Sequence, residues 1–344
     1  NILEPSGSKT CNKLSMKVKI NWDDPKGEFY GLRKLQFHSM RLDPTQMHDR
    51  LGYWLFGEMG VPAPRAVHAR LLINGEFSGL YSLVEQIDGR FTREVFDDGS
   101  GNLYKEVWPI DIDGAAQTEK AYLKGLKTNE DNDPSVALIR SFATEIVESK
   151  GGDADSARQL ITKWMDLDEV MAYLVVDRTI RHDDGPLHFY CLSEGGCANH
   201  NFYWYENPSD STLHLIPWDL DNAFENIVAD ANPVTPIADD FGEVSADCAF
   251  YSYGSFQLEQ RSAVCDPLFS ALAQLDSEYE RVLADFLAGP FAVERVDVLL
   301  DEWQAQIADA TAEAAQLYPD ALDPGAWTTA LERFRSSLEH ARSN

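Results

Sequence analysis

Apolar and polar residues alternate through "LSMKVKINW" (14–22), and the spacing predicts a strand. "DDPKG" (23–27) reads as a turn, after which "FYGLRKLQFHS" (29–39) returns as a second strand. The period then lengthens. "LDPTQMHDRLGYWLFGEMG" (42–60) predicts a helix with Asp43 as N-cap, Pro44 at its first position and Gly60 at its end. "HARLLINGEFSGLYSLVEQI" (68–87) predicts a hairpin turning at Asn74-Gly75. "DDGSGNLYKEV" (97–107) adds one more turn and a short strand.

Beyond residue 110 the apolar spacing becomes helical in "PSVALIRSFATEIVES" (134–149) and "LDEVMAYLVVDRTIRH" (167–182). An aromatic-rich strand pair follows, "HNFYWYENPSDSTLHLIPWDLDNAFE" (200–225). After residue 262 nearly everything is helical, including "PLFSALAQLDSEYERVLADFLAG" and "DPGAWTTALERFRSSLEHARS". No Pro/Ser-rich linker or internal repeat divides the chain. The expected architecture is α+β: a single unit over 1–344, with a sheet-rich lobe to about residue 108 and a mostly helical lobe over 109–344.

Composition narrows the function classes. At 44% apolar residues, with 8 Trp and 17 Phe, the 344-residue chain can build a large core. Its net charge of −28 repels phosphate backbones, so nucleic-acid polymers and anionic membranes are poor partners. A salty habitat or a need for solubility explains the same charge without any partner. No apolar run approaches the roughly 20 residues of a membrane-spanning helix. The chain opens at Asn1 with no signal-like stretch, as a trimmed or mature form would.

Five cysteines permit a small disulfide loop between Cys191 and Cys197 in "CLSEGGC" and a second bridge between Cys248 and Cys265, leaving Cys11 over. Five reduced thiols are the alternative. No CxxC or HxxxH pair suggests zinc, and no GxSxG elbow suggests a covalent hydrolase.

The chemistry-bearing positions are polar residues that end apolar elements. Asp184 sits in "RHDDGP" beyond a helix, Asn201 starts one strand, and Asp219 and Asp221 end its partner in "IPWDLD". Antiparallel pairing through "ENPSDS" would bring Asn201 and Asp219 to one edge, next to the loop carrying Asp184. Asp, Asn and Asp together are hard oxygen ligands suited to Mg2+ or Mn2+ carrying a nucleotide's phosphates. Each Asp taken alone is also an ordinary turn residue or cap. His182, His188 and His200 offer a rival histidine-bound metal, at spacings that match no zinc pattern.

A strand with Lys34, then a helix, then a hairpin ending in "YSLVEQ" is the element order of the small lobe of protein kinases. In that reading Lys34 contacts ATP phosphates, Glu85 and Trp218 line the nucleotide, and Glu58 pairs with the lysine. Lys105 in "NLYK" is a rival phosphate ligand. Alternation sends Arg33, Leu35 and Phe37 to one face and Lys34 to the other, toward the cleft. No GxGxxG, HRD or DFG appears, which excludes the ordinary protein kinases by motif.

Taken in order, "FYGLRKLQFHS", "MHDRLGYWLFGEMGVPAPRAVHARLLINGEFSGLYSLVEQID", "GNLYK", "HDDGP", "HNFYWYENP" and "LIPWDLDNAF" resemble the CotH kinase family. The resemblance covers roughly residues 14–340 and is weakest after 225. It implies an atypical kinase-like fold and ATP-dependent phosphorylation of secreted or surface proteins with a divalent cation. Asp184 matches the catalytic aspartate, Asn201 the metal-binding asparagine and Asp219 the metal-binding aspartate, with Asp221 in the same motif. Residues 185–200 are a longer insertion than the compact kinase spacing. A Cys191–Cys197 bridge would fold it aside, and otherwise Asn199 or a different acidic residue takes the place of Asn201. Adenylylation, glutamate ligation and a non-catalytic surface-assembly role are the alternative functions.

Overall fold

A computed structural model describes residues 13–111, 113–149, 152–191, 196–228, 248–253 and 258–343. Cys11 and the "CLSEGGC" residues 192–195 lie outside them. Strand β1 (Met16–Lys19) runs through the turn that Gly27 closes onto Asp24, then β2 (Lys34–His38) returns beside it. Helix α1 (His48–Glu58) leads to β3 (Ala66–Ile73) and β4 (Glu76–Val84). These strands form one antiparallel sheet in the order β1-β2-β4-β3. Asn74 and Gly75 make the hairpin turn at φ 55° and 87°, the left-handed conformation that such a two-residue turn demands.

Helix α1 starts later than its sequence predicts. Asp43 is not its N-cap: its carboxylate closes a tight turn by accepting the Thr45 and Gln46 amides at 2.8 and 2.9 Å, then the His48 amide at 2.8 Å. Pro44 therefore lies in that turn. A buried aspartate surrounded by three backbone donors satisfies more of its lone pairs there than at a helix end.

A short helix α2 (Gly89–Val95) precedes β5 (Leu103–Lys105), which pairs with the later aromatic hairpin. Helices α3 (Glu119–Gly125), α4 (Ala137–Ser149), α5 (Ala154–Trp164) and α6 (Leu167–Ile180) follow. From Val170 to Ile180 every residue of α6 is buried, so this helix is the centre of the core, packed against α1, α5 and two later helices over 276–288 and 324–343. Its apolar residues surround it because it has no solvent side.

Strands β6 (Phe189–Cys191) and β7 (Cys197–Ala198) pair with each other, and β8 (Phe202–Asn207) pairs antiparallel with β9 (Thr212–Pro217). β5-β8-β9 is a second sheet. The third has the order β10-β11-β6-β7, with β10 (Tyr251–Tyr253) and β11 (Leu258–Arg261). Helices α7 (Pro267–Leu272), α8 (Asp276–Ala288), α9 (Val293–Leu317) and α10 (Pro324–Ser343) complete the α+β fold. The helical stretch after residue 266 is two helices, α7 and α8, separated at residues 273–275. Two disulfides, Cys191–Cys197 and Cys248–Cys265, are formed. Among the described residues no helix is long and apolar enough to cross a membrane.

Candidate active site

The β8–β9 hairpin does what its sequence pattern predicts. Phe202 faces Pro217 in register, and Trp218 N–H donates to the Asn201 carbonyl at 3.0 Å, so Asn201 and Asp219 meet at one sheet edge. Asn201 Nδ2 donates to Asp184 Oδ2 at 2.8 Å, which brings in the third position. The insertion between Asp184 and Asn201 is taken up by the disulfide-closed β6–β7 hairpin. Asn199 is not at the site, because its amide donates to the Pro186 carbonyl at 2.8 Å. Asp183 is buried instead, where Asn226 donates to its carboxylate and Tyr190 to its carbonyl.

Asn201 and Asp219 both have left-handed backbones, at φ 58° and 53°. Asn and Asp tolerate that region better than other non-glycine residues, and such conformers persist only where their surroundings enforce them. Those surroundings are visible. Asp219 N–H donates to the Tyr53 hydroxyl at 2.9 Å, and the Asp219 carbonyl lies 3.3 Å from His182 Nε2. His182 Nδ1 is 3.1 Å from the buried Asp177 carboxylate. Both neighbours of His182 are acceptors, so an imidazolium satisfies both, and Asp177 raises its pKa against the lowering effect of burial. The Asp221 carbonyl lies 3.1 Å from His48 Nδ1, from the residue that the Asp43 turn orients.

Helix α1 approaches this loop closely. A Cβ at Gly52 would lie 2.6 Å from Leu220 Cδ1, so glycine is what lets α1 touch the short 3-10 turn at Leu220–Asn222. The same helix supplies Asp49, whose Oδ2 is 3.1 Å from His38 Nδ1. His38 is also 4.0 Å from Asp219 Oδ1 and meets the Trp218 ring edge-on at 5.5 Å. Burial alone would lower the His38 pKa, but Asp49, with Asp219 and Asp221 behind it, raises it.

The acidic groups press on one another. Burial pushes the Asp219 carboxyl up, opposed by His38 and reinforced by Asp49. Burial and the neighbouring Asp219 and Asp49 push Asp221 up to about 7. Asp49 Oδ1 is buried with no hydrogen-bond partner. A divalent cation would relieve this repulsion, and the oxygen donors of Asp219, Asp221 and Asn201 have the chemistry it requires. Among the described residues no three His, Cys, Asp or Glu side chains form a metal cage by themselves. A Mg2+-type ion would take one or two carboxylates and fill the rest of its shell with phosphate oxygens and water.

Lys34, Gln36 and His38 share one face of β2, so Lys34 is on the face that reaches Asp219 through His38. Lys105 approaches from β5, its Nζ 5.7 Å from the Trp218 ring centre and 5.8 Å from that of Tyr203. The Lys17 pKa is lowered by burial and by the charges of Lys34 and Lys105, so the three amines share one region. Glu58 is not the partner of Lys34: it pairs with Arg295 at 2.7 Å, and the α1 carboxylate that meets β2 is Asp49. Glu85 has both carboxylate oxygens on the Arg65 guanidinium, at 2.7 and 3.0 Å.

Sequence reasoning missed His38, His48, Asp49, Tyr53 and Asp177. The available signal was a set of polar residues on the buried sides of two helices and a strand, where each needs a partner.

The model of the CotH kinase protein family matches residues 6–341. The inner spore coat protein H of Bacillus subtilis (strain 168) is 24% identical over 226 residues, 62% of this chain and 56% of that protein. An inner spore coat protein H-like protein of the same organism is 38% identical over 63 residues, 18% of this chain and 20% of its own length. The matches therefore span about half, or less, of these relatives. The family match runs nearly from end to end and includes every element that meets at Asp184, Asn201 and Asp219; the chain belongs to the CotH kinase protein family.

Proposed function

We propose that the protein is an ATP-dependent phosphotransferase of kinase-like, two-lobed architecture. It would move the γ-phosphate of ATP to a hydroxyl of a secreted or surface protein with Mg2+ or Mn2+. The observation that carries the reading is the meeting of Asp184, Asn201 and Asp219 at one edge, with Asn201 donating to Asp184. The family match supports the same chemistry.

In this reading Asp219, Asp221 and Asn201 hold the cation, which when bound neutralises phosphate charge. Lys34 and Lys105 steady the phosphates, and Trp218 walls the nucleotide. Asp184 accepts the proton of the acceptor hydroxyl, and its hydrogen bond from Asn201 fixes the carboxylate for that task. Catalysis is then mainly positioning and charge neutralisation. Glu85 belongs to the nucleotide region through its place after β4, with Arg65 holding its side chain.

Two disulfides support an oxidising location, and relatives named as spore coat proteins support a surface one. The test is incubation with labelled ATP, Mg2+ or Mn2+ and candidate acceptor proteins, followed by intact mass. Added phosphate supports the proposal. Added AMP or glutamate would replace it with another ATP-dependent transfer on the same site, and no transfer to any acceptor would leave the assembly role.

A further inference from the structure

A cavity of about 340 Å³ lies beside the candidate site, between the chain around β5 and α3 and the disulfide-closed hairpin. Its basic groups are unusual for a chain of net charge −28: Lys105, Lys124 and Arg261 all line it. Its two carboxylates already have partners, and one of them takes up Lys105, which leaves Lys124 and Arg261. Glu106 pairs with Lys105 at 3.6 Å, and Asp111 accepts the Asp113 and Ala115 amides of its own turn at 3.0 and 2.9 Å.

Arg261 is held over the Phe189 ring at 5.8 Å, and its Nε is buried with no hydrogen-bond partner. Asp266 feels the charge of Arg261, but its oxygens are used by Trp108 Nε1 at 2.8 Å and the Leu268 amide at 2.9 Å. Lys124 makes no ion pair among the described residues. A buried N–H without an acceptor costs free energy that an anionic ligand would recover.

We infer that this cavity is a subsite for an acidic side chain of the acceptor protein, held by Arg261 and Lys124. The inference deepens the proposed phosphotransfer and rests on it for the word acceptor. The wall of the cavity decides between acceptor and nucleotide. Cys197 and Asn199 form it, and Asn199 is tied to Pro186, in the same turn as Asp184. The hairpin that shapes the cavity is thus the one that presents the base to the hydroxyl. Lys105 is common to this cavity and the nucleotide region, whereas Lys34, on the other sheet, is not part of the lining. The overall negative field of the protein is screened beyond about 8 Å at physiological salt, so local cations decide binding inside the cavity.

The test uses fluorescently labelled serine peptides with Glu flanking the serine, and matched peptides with Gln in place of each Glu. Anisotropy without nucleotide measures binding to the full chain and to R261Q, K124Q and the double variant. The wild-type protein should prefer the Glu peptide, and the double variant should bind it about tenfold less tightly, the loss expected for charge-assisted hydrogen bonds. The Gln peptide should be unaffected. Near-equal binding of both peptides to wild type, or the same loss for both in the variants, overturns the subsite. So does a weakened ATP affinity in the double variant with peptide binding intact, which reassigns the cations to the nucleotide. Because binding is read without turnover, failure of phosphotransfer does not mask the result.

Discussion

Asn201 Nδ2 donates to Asp184 Oδ2 at 2.8 Å, across the insertion that separates the two residues in sequence. One hydrogen bond joins the residue assigned to the metal and the residue assigned to the acceptor proton. Asp184→Asn should therefore leave ATP and metal binding intact while transfer falls about 10²–10⁴-fold, the usual contribution of a general acid or base. Single-turnover kinetics beside calorimetry checks this. Turnover near wild type would remove Asp184 from the base role.

The Cys191–Cys197 bridge pins the hairpin that brings those residues together. Reducing it should weaken activity more than stability, because the closed loop is short and contributes little chain entropy, whereas the insertion would gain alternative arrangements. Activity and thermal melting of a Cys191→Ser/Cys197→Ser variant measure both. A fully active variant would show that the hairpin strands alone hold the site.

Gly52→Ala separates helix propensity from site geometry. Alanine favours a helix interior by about 1 kcal/mol over glycine, yet here its Cβ meets Leu220 at 2.6 Å. The expected result is no gain in melting temperature and a weaker metal-dependent affinity for ATP, since the loop carrying Asp219 and Asp221 must shift. A stabilised variant of unchanged affinity would mean that Leu220 simply rotates away.

His68 supplies a pH signature of stability. Burial, with Arg50 beside it, lowers its pKa to about 4. Between about pH 4 and its ordinary value of 6.5 the unfolded chain binds a proton that the folded chain does not. Stability should therefore fall as pH drops through that window and level off above it. Gln can replace both hydrogen bonds, the one from Arg50 and the one to the Gln46 carbonyl. His68→Gln should melt with a shallower acid dependence than wild type, and identical slopes would place the titration elsewhere.

Much of this site was legible in the sequence because it depends on strand register. Once the strands on either side of "ENPSDS" pair, Asn201 and Asp219 have no choice but to adjoin, and alternation alone puts Lys34 on the face of β2 shared with His38. The helix contacts were not legible. The start of α1 moved because Asp43 closes a turn on three amides rather than capping. Which α1 carboxylate meets β2 depends on helix rotation and on how closely Gly52 lets the helix approach. Glu58 faces Arg295, a residue far along the chain that local pattern does not connect to it. Likewise β5 leaves the first sheet to pair with β8, a long-range choice with no local signature.

The central claim is that Asp219 binds a cation that carries ATP. The direct measurement is titration calorimetry of ATP, with and without Mn2+, into wild type and Asp219→Asn, a change that removes charge and keeps shape. Wild type should bind ATP in a Mn2+-dependent way, and the variant should lose that dependence while its melting temperature holds. Equal Mn2+-dependent affinity in both proteins would contradict the account.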